Sequence, residues 1–184
     1  MNRINAVTFA AVLAASLPAA AQHHGTGHGK PAEHATAASP YVGQEKREIK
    51  AMSEQEQRGW LEGQGMGLAR AAELNGYPGP MHTLELADSI GLSPAQLAAS
   101  RELMQRHKAE ARALGVRLVE TERQLDAAFR EKRANDTDVE RLTAEIAQIQ
   151  GSIRASHLRT HLAQQRLLSA EQVSAYNRLR GYTQ

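Results

Sequence analysis

His157 and His161 stand one helical turn apart in the run Ser-His-Leu-Arg-Thr-His-Leu. On a helix that spacing sends both imidazoles the same way, and two nitrogens on one face are a usual beginning of a Zn²⁺ or Cu²⁺ site. Met66 and His82, with Glu62 and Glu73, are the candidate completions. The zinc-protease pattern is absent, because no Glu follows His157. The competing reading is a pair of interfacial histidines that pack, hydrogen-bond and respond to pH. A second group, His23, His24, His28 and His34, lies near the N-terminus. Cleavage after Ala21 would make Gln22-His23-His24 the mature start. A free amine, amide nitrogens and a third-position imidazole then suit square-planar Cu²⁺ or Ni²⁺. No cofactor is required by these patterns; the metals are options that they leave open.

Other chemistry is poorly represented. The carboxylate pairs Glu120/Glu122 and Asp136/Asp138 fall where exposed helix or turn is expected. Ser93 and Ser169 lack the strand-to-helix elbow of a nucleophilic serine. No phosphate loop, dinucleotide fingerprint or calcium loop occurs. Catalysis is not expected. Cysteine is absent, so disulfides and thiolate sites are excluded. The formal charge is +2 and basic and acidic residues alternate along the same segments, which reads as a solvated helix surface and not as a nucleic-acid stripe. Aromatic residues make up 4% of the chain, too few for stacking on bases.

The elements that must position these residues are all helical. Arg3, the apolar Ala6–Leu17 and Ala19-Ala20-Ala21 read as a secretory signal over 1–21, placing the mature protein in the periplasm. Residues 22–40 read as a disordered His-rich leader. Residues 41–184 form one all-α domain. Gln44 to Met52 is expected to be a first helical stretch, and Ser53-Glu54-Gln55-Glu56 is a capping box that opens a helix through Leu61. A glycine-rich break, Leu68 to Leu74, the turn Asn75-Gly76-Tyr77-Pro78-Gly79-Pro80 and a short helix from Met81 to Ile90 follow.

From Ser93 a seam becomes regular. Leu97, Met104, Ala111, Leu118 and Leu125 recur at heptad spacing, with Ser100, His107, Leu114, Thr121 and Ala128 three positions behind each. His107 is expected to be a satisfied seam residue. Ala134-Asn135-Asp136 breaks the helix, and Thr137 with Glu140 is expected to cap the next, whose stripe is Val139, Leu142, Ile146, Ile149 and Ile153. Two long helices joined so briefly must run antiparallel. Leu92-Ser93-Pro94-Ala95-Gln96 and Leu168-Ser169-Ala170-Glu171-Gln172 are two copies of one phrase. In each, Ser93 with Gln96 or Ser169 with Gln172 makes a helix-capping motif. The stripe is too long for a helical hairpin to bury alone, so a homodimer is expected.

An export signal, no cysteine, a long antiparallel helical hairpin and paired Leu-Ser-x-x-Gln phrases resemble the Spy/CpxP family, whose own phrase is Leu-Thr-x-x-Gln. The resemblance spans about Ser53 to Tyr182. It implies a cradle-shaped, all-helical dimer without enzymatic activity. Chaperone members hold unfolding or envelope proteins without ATP. Sensor members of the family coordinate Zn, Cu, Ni or Co through His, Glu and Met. A third reading is a structural or regulatory dimer that docks on a membrane sensor protein. On the chaperone branch the client face would combine Leu97, Met104, Leu114, Leu118 and Phe129 with Arg101, Lys108 and Arg112. On the heavy-metal branch His157 and His161 would be central.

Overall fold

A computed structural model describes residues 38–182, and every regular element among them is helical. The expected signal segment and nearly all of the leader, with His23, His24, His28 and His34, lie outside the described residues. A 3-10 turn at Gln44–Lys46 precedes α1 (Glu54–Glu62), α2 (Arg70–Glu73), α3 (Pro80–Glu85), α4 (Pro94–Arg130), α5 (Asp136–Leu167) and α6 (Ala170–Leu179). Among the described residues no helix is long and apolar enough to cross a membrane.

Capping chemistry sets the helix starts. Ser53, Ser93 and Ser169 each accept an amide three residues on, and Glu56, Gln96 and Gln172 each return a side-chain acceptor to the serine N–H. Pro94 adds a pre-set φ at the first position of α4. Two expectations need correction. The start of α5 is capped by Asn135, whose side chain accepts from Asp138 N–H at 3.0 Å, and not by Thr137 with Glu140. Asn135 sits in extended backbone and caps as well as Thr would, so the helix begins earlier. The stretch Gln44 to Met52 is not a helix beyond its single turn. Ile49 and Met52 are both drawn into the core, and the Lys50 N–H is taken by Asp126 on α4 at 2.9 Å, so tertiary contacts override local propensity. Similarly, α2 and α3 are shorter than the runs Leu68–Leu74 and Met81–Ile90.

The long helices α4 and α5 touch along their length. Ser100 meets Gln164, His107 meets His157, and Arg117 approaches Glu145, so residue numbers rise on one helix as they fall on the other. α1 and α3 pack on α4, and α2 packs on α5. At the α1–α4 crossing, Gly115 lies so close to Trp60 that a Cβ would overlap the Trp60 carbonyl. Here glycine serves backbone proximity, not flexibility.

The seam has two chemically different halves. Toward the α4–α5 connection it is apolar: Leu118, Val119, Ile146, Ile149 and Ile153 cluster with Ile49 and Met52 from the segment before α1. Toward the other end the buried residues are Ser100 and His107 on α4, and Ser156, His157, Thr160 and Gln164 on α5. The change falls within one turn, between Ile153 and Ser156. The apolar half supplies hydrophobic free energy, at about 25 cal/mol per Å² removed from water. The polar half must be held by hydrogen bonds, which are less forgiving of a missing partner.

Candidate functional site

The polar half-seam brings together the titratable groups that the sequence scattered. His107 Nε2 lies 3.1 Å from His157 Nδ1, and the rings meet edge-on with centroids 4.4 Å apart. Ser156 Oγ is 2.8 Å from a Glu110 carboxylate oxygen and 3.3 Å from His107 Nδ1. A carboxylate only accepts, so the Ser156 hydroxyl donates to Glu110. His107 Nδ1–H then donates to Ser156 Oγ, His107 Nε2 is bare, and His157 Nδ1–H donates to it. The tautomers follow from this network of partners. The chain of bonds ends at His157 Nε2, a bare nitrogen that is buried and has no hydrogen-bond partner.

Burial shifts both rings the same way. Removal from water holds His107 below the ordinary imidazole range, against the pull of Glu110. His157 is pushed down to about 4, first by burial and then by the neighbouring His107 and His161. Both are therefore neutral at pH 7, and the bond between them requires that His107 Nε2 stay unprotonated.

His161 has a different role from His157 despite sharing its helix face. Its Nδ1–H donates to the Tyr77 carbonyl at 2.7 Å, and its ring covers Gly79, where a Cβ would fall 2.7 Å from Cε1. Glu73 Oε2 stands 3.7 Å from His161 Nδ1. The other Glu73 oxygen accepts from Tyr176 at 2.6 Å and Tyr182 at 3.2 Å, tying α6 and the chain beyond it to α2. Burial, then the bond to Glu73, raises the Tyr176 hydroxyl far above its ordinary range. Tyr176 is thus a neutral donor at and above neutral pH.

The twin phrases meet at this same end of the helix pair. Gln96 Nε2 donates to Gln172 Oε1 at 2.8 Å and Gln172 Nε2 donates to Gln96 Oε1 at 3.0 Å. Each oxygen also caps its own serine amide, and each amide group reaches a second carbonyl, Leu167 for Gln96 and Gly91 for Gln172.

The other candidate residues are placed elsewhere. His82 pairs with Glu85 at 2.7 Å, and exposed Met66 rests its sulfur against Gly59. Among the described residues no three His, Asp or Glu side chains are gathered so as to hold a metal ion. Of the expected client face, Arg101, Lys108, Arg112 and Phe129 are exposed and Leu97, Met104 and Leu114 are half-buried. Leu118 does not belong to that face: it is fully buried in the apolar half, against Ile49 and Ile149. Leu114 instead lines a shallow groove of about 630 Å³ with Arg117, Gly151, Ala155 and Arg159.

Sequence reasoning missed Glu110, Ser156 and Gln164. A signal for two of them existed: continuing the Ile146–Ile149–Ile153 stripe by three- and four-residue steps passes through Ser156 or His157, then Thr160 and Gln164. The stripe changes chemistry without changing face. Ser156 beside His107 superficially suggests a nucleophile and base. Its hydroxyl is committed to Glu110, and the residue is 1% exposed. What the arrangement can do is hold, move and respond to protons. The chain matches no protein-family model, no curated protein and no solved structure.

Proposed function

We propose that this chain is an exported, periplasmic binding protein of the Spy/CpxP kind, an ATP-independent holder of unfolding or envelope proteins with no covalent chemistry. In this reading α4 and α5 form an antiparallel hairpin, and two copies make a cradle-shaped homodimer. The observation that carries it is a mixed strip on α4. Leu97, Arg101, Met104 and Lys108 follow one another at four-, three- and four-residue steps and so share a helix face. The apolar members are half-buried and the cations exposed. Such a strip offers an unfolding chain apolar contact without presenting a continuous greasy surface, and its long cations attract acidic segments early. Met104 adapts to varied partners because its side chain is flexible and polarisable.

The dimer has its own support. Val116 and Phe129 are more than half exposed on α4, as are Leu74 and Leu179 on the shorter elements. Apolar side chains of that size, left open on so small a fold, are natural contacts for a second copy or a client. A membrane sensor protein is a further partner that fits the same surface chemistry.

The test is suppression of aggregation. Purified mature protein at equimolar ratio should suppress light scattering from a thermally unfolding client enzyme. The Met104→Ser/Phe129→Ser variant should lose most of that effect while keeping its helical circular dichroism. No suppression by the native chain overturns the reading. The metal-buffering branch rests on His23, His24, His28 and His34, and Cu²⁺ calorimetry with and without the leader decides it.

A further inference from the structure

The polar half-seam is built from groups whose partners change when protons arrive. We propose that the His107–His157 contact is an acid-released latch, which opens the capped end of the α4–α5 pair while the isoleucine end stays closed.

Three features of the geometry lead to this. First, the site is built around neutral rings. One proton on His157 Nε2 creates a buried cation whose new N–H has nothing to donate to, since that nitrogen has no partner. A second proton, on His107 Nε2, sets two N–H groups against each other at the present 3.1 Å. Secondly, the surrounding charges do not rescue the cation. On α4, Glu110 is already shared between Ser156 and Arg159. On α5, His161 faces the pair and opposes a further positive charge. From α2, Glu73 is turned to His161, Tyr176, Tyr182 and Arg180. The turn before α3 contributes the Tyr77 carbonyl, taken by His161. Thirdly, this half is the weaker one. Gln164 Oε1 is also buried without a partner, and no cluster like that of Ile146, Ile149 and Ile153 backs it up. Opening gives water to both orphan acceptors.

The expected leverage is large. An imidazole held near 4 when closed and free to titrate ordinarily when open raises the open-to-closed ratio about thirtyfold between pH 7.5 and 5. Opening uncovers the half-buried Leu97, Leu103, Met104 and Leu158. The latch itself does not depend on whether clients bind there.

Native-state hydrogen exchange on the full chain, in chelator and corrected for intrinsic rates, reads the ratio directly even when the open form is rare. Protection of amides over 97–110 and 155–167 should fall about thirtyfold from pH 7.5 to 5 and lie below that over 142–153, which only global unfolding exposes, at every pH. His107→Gln/His157→Gln should flatten the pH response. Equal protection in both halves, a capped half without a pH response, or a response retained in the double variant overturns the latch. Should that variant fail to fold, imidazole NMR of the native chain decides. His157 in the Nδ1–H form, titrating well below pH 6, supports the latch, and ordinary titration near 6.5 overturns it.

Discussion

The side-chain amides of Gln96 and Gln172 exchange hydrogen bonds at 2.8 and 3.0 Å while the oxygen of each still caps its own serine amide. The two copies of the phrase are thus one device: they start α4 and α6 and lock those starts together. Glutamine, and not glutamate, is needed, because only a carboxamide offers an acceptor to its own cap and a donor to its twin. The third box, at Ser53, has no twin and uses Glu56. Gln96→Glu should therefore keep its cap yet remove the donor to the Leu167 carbonyl and to Gln172 Oε1, which is left with its own Ser169 N–H alone, lowering stability by about 2 kcal/mol. Glu56→Gln should change it by less than about 0.5 kcal/mol. Urea denaturation of the two variants checks the contrast, and equal effects would refute the interlock.

Much of this was legible in the chain and some was not, for a physical reason. Caps are local chemistry, so Ser53, Ser93 and Ser169 announce α1, α4 and α6. Heptad spacing is set by helix geometry, so Ala111, Leu118 and Ala128 announce the seam. The meetings of Gln96 with Gln172, His107 with His157 and Glu73 with Tyr176 are long-range side-chain pairings. Periodicity gives a residue's face but not its partner across the seam. His157 and His161 illustrate this: they share a face, yet one bonds to α4 and the other to the turn before α3. Asn135 was overlooked because Thr137 offered an equally good local pattern two residues later.

Stability should fall in mild acid, with the sign fixed by linkage. His157 titrates ordinarily in the unfolded chain, near 6.5, and at about 4 in the fold, so between those values the unfolded state binds more protons. The contribution is fully present above about pH 6.5 and is lost as pH falls toward 4, amounting to about 3 kcal/mol. His107 moves in the same direction. Denaturation midpoints measured from pH 7.5 to 4.5 should decline, and the decline should be shallower in His157→Gln. A flat profile would contradict the burial of the pair.

Two glycines in long helices should respond to alanine with opposite signs. At Gly151 a Cβ meets open space, so Gly151→Ala should gain up to about 1 kcal/mol from helix propensity. At Gly115 the same methyl overlaps the Trp60 carbonyl, and α1 must move off α4. The resulting loss is about 2–4 kcal/mol, larger than the propensity gain. Melting curves, with Trp60 fluorescence as a local probe of the crossing, distinguish the cases. Matching shifts would mean that α1 does not seat against α4 as described.

Leu118 and Phe129 lie on the same helix and divide stability from surface binding. Leu118 is 0% exposed in the cluster with Ile49, Met52 and Ile149, so Leu118→Ala removes buried methyl groups and leaves a cavity between α4 and α5. It should cost about 3 kcal/mol, with little direct effect on any surface contact in molecules that remain folded. Phe129 is 56% exposed near the end of α4, and Phe129→Ser should change stability by less than about 1 kcal/mol. Its effect should appear instead in aggregation suppression and in the concentration dependence of sedimentation, because an exposed aromatic contributes most of its burial energy only when a partner covers it. Measuring urea midpoint, sedimentation and client protection on both variants separates the roles. If Phe129→Ser destabilises the monomer as much as Leu118→Ala does, the residue is an internal packing group and the exposed end of α4 is not a contact surface.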